Sequence, residues 1–195
     1  NMDHYKKFKK EGLKNIHRQS KDKGFKNLTT NWVKKATNFD YSYNFDWLGR
    51  PIIQYPQDII ILQEIVYKHK PDLIIETGIA HGGSLILFSS LLELLNIEKK
   101  KERKVIGIDI DIRKHNKKYI NKHFLRKNII LMEGSSTDKK IIDKLKKFTK
   151  NKKVMVVLDS NHTHDHVLEE LNLYSGLVSK KQYLVVMDTV LEKNL

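Results

Sequence analysis

Cysteine is absent from the 195 residues, which excludes a disulfide framework, a thiolate metal site and a cysteine nucleophile, and suits a reducing cytoplasm. No apolar run approaches the roughly 20 residues a membrane helix needs, and the opening Asn1-Met-Asp-His-Tyr-Lys-Lys7 is unlike a secretory signal. A soluble, cytoplasmic protein is expected. Internal repeats are missing too. Acids are outnumbered: 23 Asp and Glu face 37 Lys and Arg, and the resulting charge of +14 raises nucleic acid or an anionic membrane as partners. The lysines, however, gather in runs such as Lys99-Lys-Lys-Glu-Arg-Lys104 and at Lys139, Lys140, Lys144, Lys146 and Lys147, in loops and on the polar faces of expected helices. Solvated faces account for most of this charge, with anionic lipid or polysaccharide as the functional alternative.

What is present is enough for one domain with a proper core, since 39% of the residues are hydrophobic. Residues 1 to about 30 are polar, Lys-rich and weakly helical in pattern, an arm either ordered or partly disordered. Trp32, Val33, Phe39, Tyr41, Tyr43, Phe45 and Trp47 then crowd together without a period, as residues that cap a core or line a substrate entrance do. Residues 1–50 are therefore set apart as a polar and aromatic arm or cap, ahead of a second region at 51–195. Pro56 suits the first turn of a helix over Gln57–Lys68, which Lys70-Pro71 stops.

From there short apolar runs alternate with helical patterns. Strands are expected at Leu73–Glu76, Val105–Asp109, Ile129–Met132, Val154–Leu158 and Tyr183–Val186, with helices at Ser84–Leu95, Arg113–His123, Asp138–Phe148 and Asp165–Leu177 between them. The alternation implies right-handed βαβ crossovers: an α/β fold, a doubly wound, mostly parallel sheet.

In such a sheet ligands bind beyond the carboxyl ends of the strands, so the residues following each strand matter. After the first come Glu76, Thr77, Gly78, His81, Gly82, Gly83 and Ser84, an acid and a glycine-rich turn opening a helix. Backbone N–H groups at a helix start suit ribose and polar cofactor groups, although the spacing is not that of G-x-G-x-x-G. Asp109 ends the second strand, where an acid accepts the hydrogen bonds of a ribose diol; Asp111 is either a helix cap or a ligand contact. Gly134-Ser-Ser136 offers small polar groups for an adenine edge, with Ser136 or Thr137 equally able to cap the next helix. The fourth strand runs into Asp159-Ser-Asn-His-Thr-His-Asp-His166, and Asp188 follows the fifth. Carboxylates there suit a divalent cation, and imidazoles suit proton transfer.

Taken together, Glu76-Thr-Gly-Ile-Ala-His-Gly-Gly-Ser84, Ile106-Gly-Ile-Asp-Ile-Asp-Ile-Arg113, Glu133-Gly-Ser-Ser136 and Leu158-Asp-Ser-Asn-His-Thr-His164 closely resemble the cephalosporin hydroxylase / rhamnosyl O-methyltransferase family. The resemblance runs from about Gln54 to Thr189. It implies a Rossmann-like class I methyltransferase fold that binds S-adenosylmethionine through Glu76, Gly78, His81, Gly82, Gly83, Ser84, Asp109 and Ser135. It also implies a magnesium site on Asp159 and Asp188, with Met187 standing where the family pattern looks acidic. Asn161, His162 or water would then complete the shell. The implied reaction is O-methylation of a hydroxyl on a sugar, glycolipid or related small molecule: the metal orients the acceptor, and His162 or His164 takes its proton. Such a sheet normally continues through a further helix and a closing pair of strands, and the sequence ends nine residues after Val186, so these are expected to be missing. A homo-oligomer is expected, as is peripheral contact with the inner face of an anionic membrane.

Two readings compete. The charge suggests nucleic-acid methylation, but the fourth strand ends in Asp-Ser-Asn-His rather than the Asn/Asp-Pro-Pro-aromatic signature of base amino-group methylation, so nucleic acid is disfavoured. Met187 and the short C-terminus suggest instead a non-catalytic, cofactor-binding or interaction module.

Overall fold

The computed structural model describes residues 3–189, and the chain divides into two compact units, Asn1–Tyr41 and Ser42–Leu195. The stretch after Thr189, on which the expectation about closing strands bears, lies outside the described residues. The first unit is helical: α1, His4–Lys21, and α2, Lys23–Thr37. Asp3 caps α1 by accepting the Tyr5 N–H, and Asp22 breaks the helix and caps the next by accepting the Phe25 N–H at 2.9 Å. The weak periodicity of this arm thus becomes two capped helices. Trp32 meets Tyr41 edge to face, Phe39 is exposed, and the hairpin aromatics belong to the second unit.

The second unit opens with a hairpin, β1 (Phe45–Trp47) and β2 (Arg50–Ile52), turned by Leu48 and Gly49, both at positive φ, as a two-residue primed turn requires. Phe45 and Trp47 pack onto the core, so this part of the aromatic segment does cap it. α3, Pro56–His69, begins at a proline and ends at a left-handed Lys70 before Pro71. Then come β3 (Leu73–Thr77), α4 (Gly83–Glu98), β4 (Lys104–Asp109), α5 (Lys114–Lys122), β5 (Ile129–Glu133), α6 (Lys139–Thr149), β6 (Val154–Leu158), α7 (His164–Tyr174) and β7 (Leu184–Val186).

The five later strands form one parallel sheet in the order β5-β4-β3-β6-β7. Counted within the sheet this is 3-2-1-4-5, so the strand order reverses between β3 and β6, where doubly wound folds bind ligands. Alternate strand residues feed two cores. Ile74, Val105 and Met155 pack with Leu62, Val66, Leu85 and Ile120 of α3, α4 and α5. Ile75, Ile106 and Val156 pack with Ile141, Leu145 and Tyr174 of α6 and α7. α4 is apolar nearly all round because the hairpin, α3 and the sheet enclose it. Leu85, Ile86, Leu87, Phe88 and Leu92 are wholly buried there, each stabilising the fold by about 1.5–3 kcal/mol.

Candidate functional site

The glycine turn leaves β3 at the reversal point. Gly78 has φ +85°, and a Cβ on it would stand 1.9 Å from the backbone carbonyl oxygen of Asp159, so only glycine lets the turn cross the end of β6. Gly82, also at +85°, is the N-cap of α4. Gly83 serves packing instead, because a side chain there would meet the Pro51 carbonyl at 2.2 Å; its bareness seats the hairpin against α4.

The turn is held from both sides. Asp109 Oδ2 accepts the N–H groups of Ile79 and Ala80 at 2.8 and 3.3 Å, and Oδ1 accepts that of Asp111 at 3.2 Å. A carboxylate has about four acceptor positions, so Asp109 keeps capacity for a ligand while it shapes the turn. Asp111 does not cap α5, whose N-cap is Arg113. Opposite, buried Arg50 donates through Nε to the His81 carbonyl at 3.1 Å and through Nη2 to Asn116 Oδ1 at 3.2 Å. Asn116 in turn donates to the Ala80 carbonyl at 2.8 Å. Tying both carbonyls back at Ala80 and His81 fixes the turn, in which Ala80 is itself at positive φ.

A cleft of about 340 Å³ opens beside this turn, lined by Gly78, Asp109, Ser135, Ser136, Asp159 and His166 among others. Its size and few convergent polar groups suit a small organic cofactor. Asp138, not Ser136 or Thr137, caps α6, and both serines line the cleft, where Ser135 Oγ accepts the Thr137 N–H at 3.3 Å. Ser136 and Ser160 lie 3.2 and 3.1 Å from His166 Nε2, and Ser160 donates to buried Glu170 at 2.8 Å. Sequence reasoning takes in His166 only as one of the three imidazoles after β6 and passes over Glu170, although their i, i+4 spacing on α7 puts them on one face. Arg50, Asn116 and Gln54 give no comparable signal.

Next to the cleft lie the acids. Asp159, His162 and Asp188 offer ligand atoms within 4.8 Å of one another, and His162 Nε2 is 3.3 Å from Asp188 Oδ2. Gln54 donates to Asp159 Oδ2 at 2.9 Å. Burial, and then the Asp188 charge, push Asp159 up to about 7. Burial and Asp188 likewise raise Asp58 on α3. Glu76, fully buried, is pushed well above the ordinary carboxylate range by burial and then by Asp159, with Ser84 opposing. Neither Glu76 oxygen has a hydrogen-bond partner of good geometry, although Ser84 is close. A chain of charge +14 thus carries a locally acidic site. Met187 is buried in the core below α3 and α4 and offers nothing to this cluster, where His162 is the third group. His164 stands apart at the solvent edge, its Nδ1 3.0 Å from exposed Asp165.

The family model "Rhamnosyl O-methyltransferase/CmcI" matches residues 39–194. A rhamnosyl O-methyltransferase of Mycobacterium bovis (strain BCG / Pasteur 1173P2) is 32% identical over 131 residues, covering 65% of this chain and 49% of that protein. The Mycobacterium leprae (strain TN) rhamnosyl O-methyltransferase is 29% identical over 146 residues, covering 73% and 59%. The chain thus spans about half the length of the curated relatives it matches. Among solved structures, CmcI with magnesium and SAM aligns with a TM-score of 0.53 at 20% identity, over 77% of this chain and 60% of that one, a likeness of fold. The match over residues 39–194, joined to the sheet order and the strand-end motifs, establishes that the chain belongs to the rhamnosyl O-methyltransferase/CmcI family.

Proposed function

We propose that this chain carries the catalytic domain of an S-adenosylmethionine-dependent O-methyltransferase, acting on a hydroxyl of a sugar, glycolipid or related small molecule. The carrying observation is adjacency: the glycine turn after β3 and the Asp159–His162–Asp188 cluster open at the same end of neighbouring strands. Two features support a fit to the cofactor, namely the cleft lined by Gly78, Asp109 and Ser135 and the unsatisfied, buried carboxyl of Glu76. Gly78, His81, Gly82, Ser84, Asp109 and Ser135 would hold it with Glu76, while Gly83 serves by letting the hairpin close on the turn. When bound, the cofactor supplies a methyl group on a sulfonium leaving group.

The donor set of two carboxylates and an imidazole suits a divalent cation, magnesium included, since oxygen ligands satisfy a hard cation and imidazole is tolerated by its softer neighbours. Such a cation would orient and acidify the acceptor hydroxyl. The chain's own part is to align that oxygen and receive its proton. In the absence of metal His162 would take that proton; with His162 engaged as a ligand, His164, which lines a pocket with His162 and Asp188 from its solvent edge, is the acceptor. The relatives' printed name supports the sugar class. Homo-oligomeric assembly and contact with an anionic membrane complete the reading, the latter supported by the +14 charge.

Calorimetry with S-adenosylmethionine, with and without magnesium, tests the reading directly. Cofactor binding strengthened by the ion is expected, and no cofactor binding at all would leave only a non-catalytic module. Asp159→Ala is expected to abolish transfer to a sugar acceptor, read by mass spectrometry, with the circular dichroism spectrum unchanged; retained activity would remove Asp159 from the mechanism.

A further inference from the structure

Each of the two helices of the first unit carries an exposed apolar side. At 3.6 residues per turn, Tyr5, Phe8, Leu13 and Ile16 share one side of α1, and Phe25, Leu28 and Trp32 share one side of α2. These seven side chains are 41–68% exposed, and of the residues in the two helices only Ala36 is buried. Lys7, Lys10, Lys14 and Lys21 stand on the opposite side of α1, Lys6 flanks the stripe beside Leu13, and Lys9 lies within it, 5.8 Å from the Tyr5 ring. Residues 1–41 hold eleven Lys and Arg against four acids, so about a fifth of the chain carries half of its +14 charge.

We infer that α1 and α2 form an interfacial anchor that lays its apolar stripe into the surface of an anionic phospholipid bilayer. Charge complementarity selects this occupant. A second copy of the arm would bring +7 against +7, and a nucleic acid would use the lysines but leave Phe8, Leu13 and Ile16 in water. An anionic bilayer satisfies both faces at once: the stripe enters the headgroup boundary while the lysines meet lipid phosphates. Neither helix is long and apolar enough to cross a membrane, so the helices would lie on it. The inference gives the membrane part of the proposed function a surface and does not depend on methyl transfer.

Sedimentation of the full chain with vesicles tests it, using phosphatidylcholine alone and phosphatidylcholine mixed with phosphatidylglycerol. Binding to the mixed vesicles only is expected, weakening as salt rises. Phe8→Asn with Ile16→Asn should abolish it, and each neutralisation among Lys6→Gln, Lys10→Gln and Lys14→Gln should weaken it about fivefold. Cofactor binding in solution should be the same in all variants, which separates failure here from failure of the enzymatic reading. Absence of binding, equal binding to neutral vesicles, or arm-dependent dimers by analytical ultracentrifugation would overturn the anchor. Binding to single-stranded nucleic acid that survives Phe8→Asn with Ile16→Asn, in place of lipid binding, would overturn it as well.

Discussion

Glu76 shows how a single residue can be legible by type while its burial and electrostatics are not. A strand-end acid before a glycine turn reads as a ligand, yet its side chain is fully enclosed, without a well-placed partner, and with Asp159 close enough to disfavour its charge. Its pKa in the folded state lies above the unfolded value, so the folded protein is penalised progressively as pH rises through and beyond the ordinary glutamate range. Glu76→Gln should therefore be near neutral in acid and increasingly stabilising toward alkaline pH, measured by thermal melts across pH. If cofactor binding is lost at the same time, the carboxyl also serves the ligand. Arg50 is the opposite case, a residue without sequence signal whose guanidinium ties back the turn through the His81 carbonyl and Asn116. Charge-assisted hydrogen bonds of this kind contribute about 1.5–3 kcal/mol each, so Arg50→Ala should weaken cofactor affinity tenfold or more. Lysine should not rescue it, because a point charge cannot reach two acceptors with the planar fork's geometry. Calorimetry on both variants decides this, and unchanged affinity would reduce Arg50 to a packing role.

Among the elements, the β3–turn–α4 unit is the most readable, because apolar strand, glycines and apolar helix are contiguous. Its helix nevertheless starts at Gly83 and runs to Glu98, longer than the apolar pattern alone marks, since Asn96 and Glu98 are polar positions on its last turn. The turn's dependence on β6 is not readable at all. Gly78→Ala puts a methyl group against the Asp159 carbonyl and a side chain at positive φ; it should cost at least about 2 kcal/mol in denaturant titrations. A change of well under half that would mean that β6 moves aside freely. The arm reads as only weakly helical because its apolar residues are sparse, and what fixes its helices is capping at Asp3 and Asp22 with little burial. Capping depends on where the chain bends, which periodicity does not report.

At the scale of the molecule, a net charge of +14 opposes compactness, while ion pairs such as Lys70–Glu98 and Lys101–Asp72 have at least one partner exposed. Exposed pairs contribute about 0–1 kcal/mol, so self-repulsion should outweigh them. Thermal stability is then expected to rise by a few degrees from low ionic strength to about 0.15 M, where screening acts over about 8 Å. A falling melting temperature would show that the pairs dominate. Local sequence dictates the alternation of strands and helices and the acids that end the strands, because burial on both faces makes the strands short apolar runs and burial on one side gives helices a period of 3.6. Which of those strand ends meet is settled by tertiary packing alone. The order β5-β4-β3-β6-β7 sets Asp159 against Gly78 and brings Asp188, His162 and Gln54 around it, through pairings between residues far apart in the chain. Strand order follows from how helices pack on both faces of the sheet, and no local pattern carries that information.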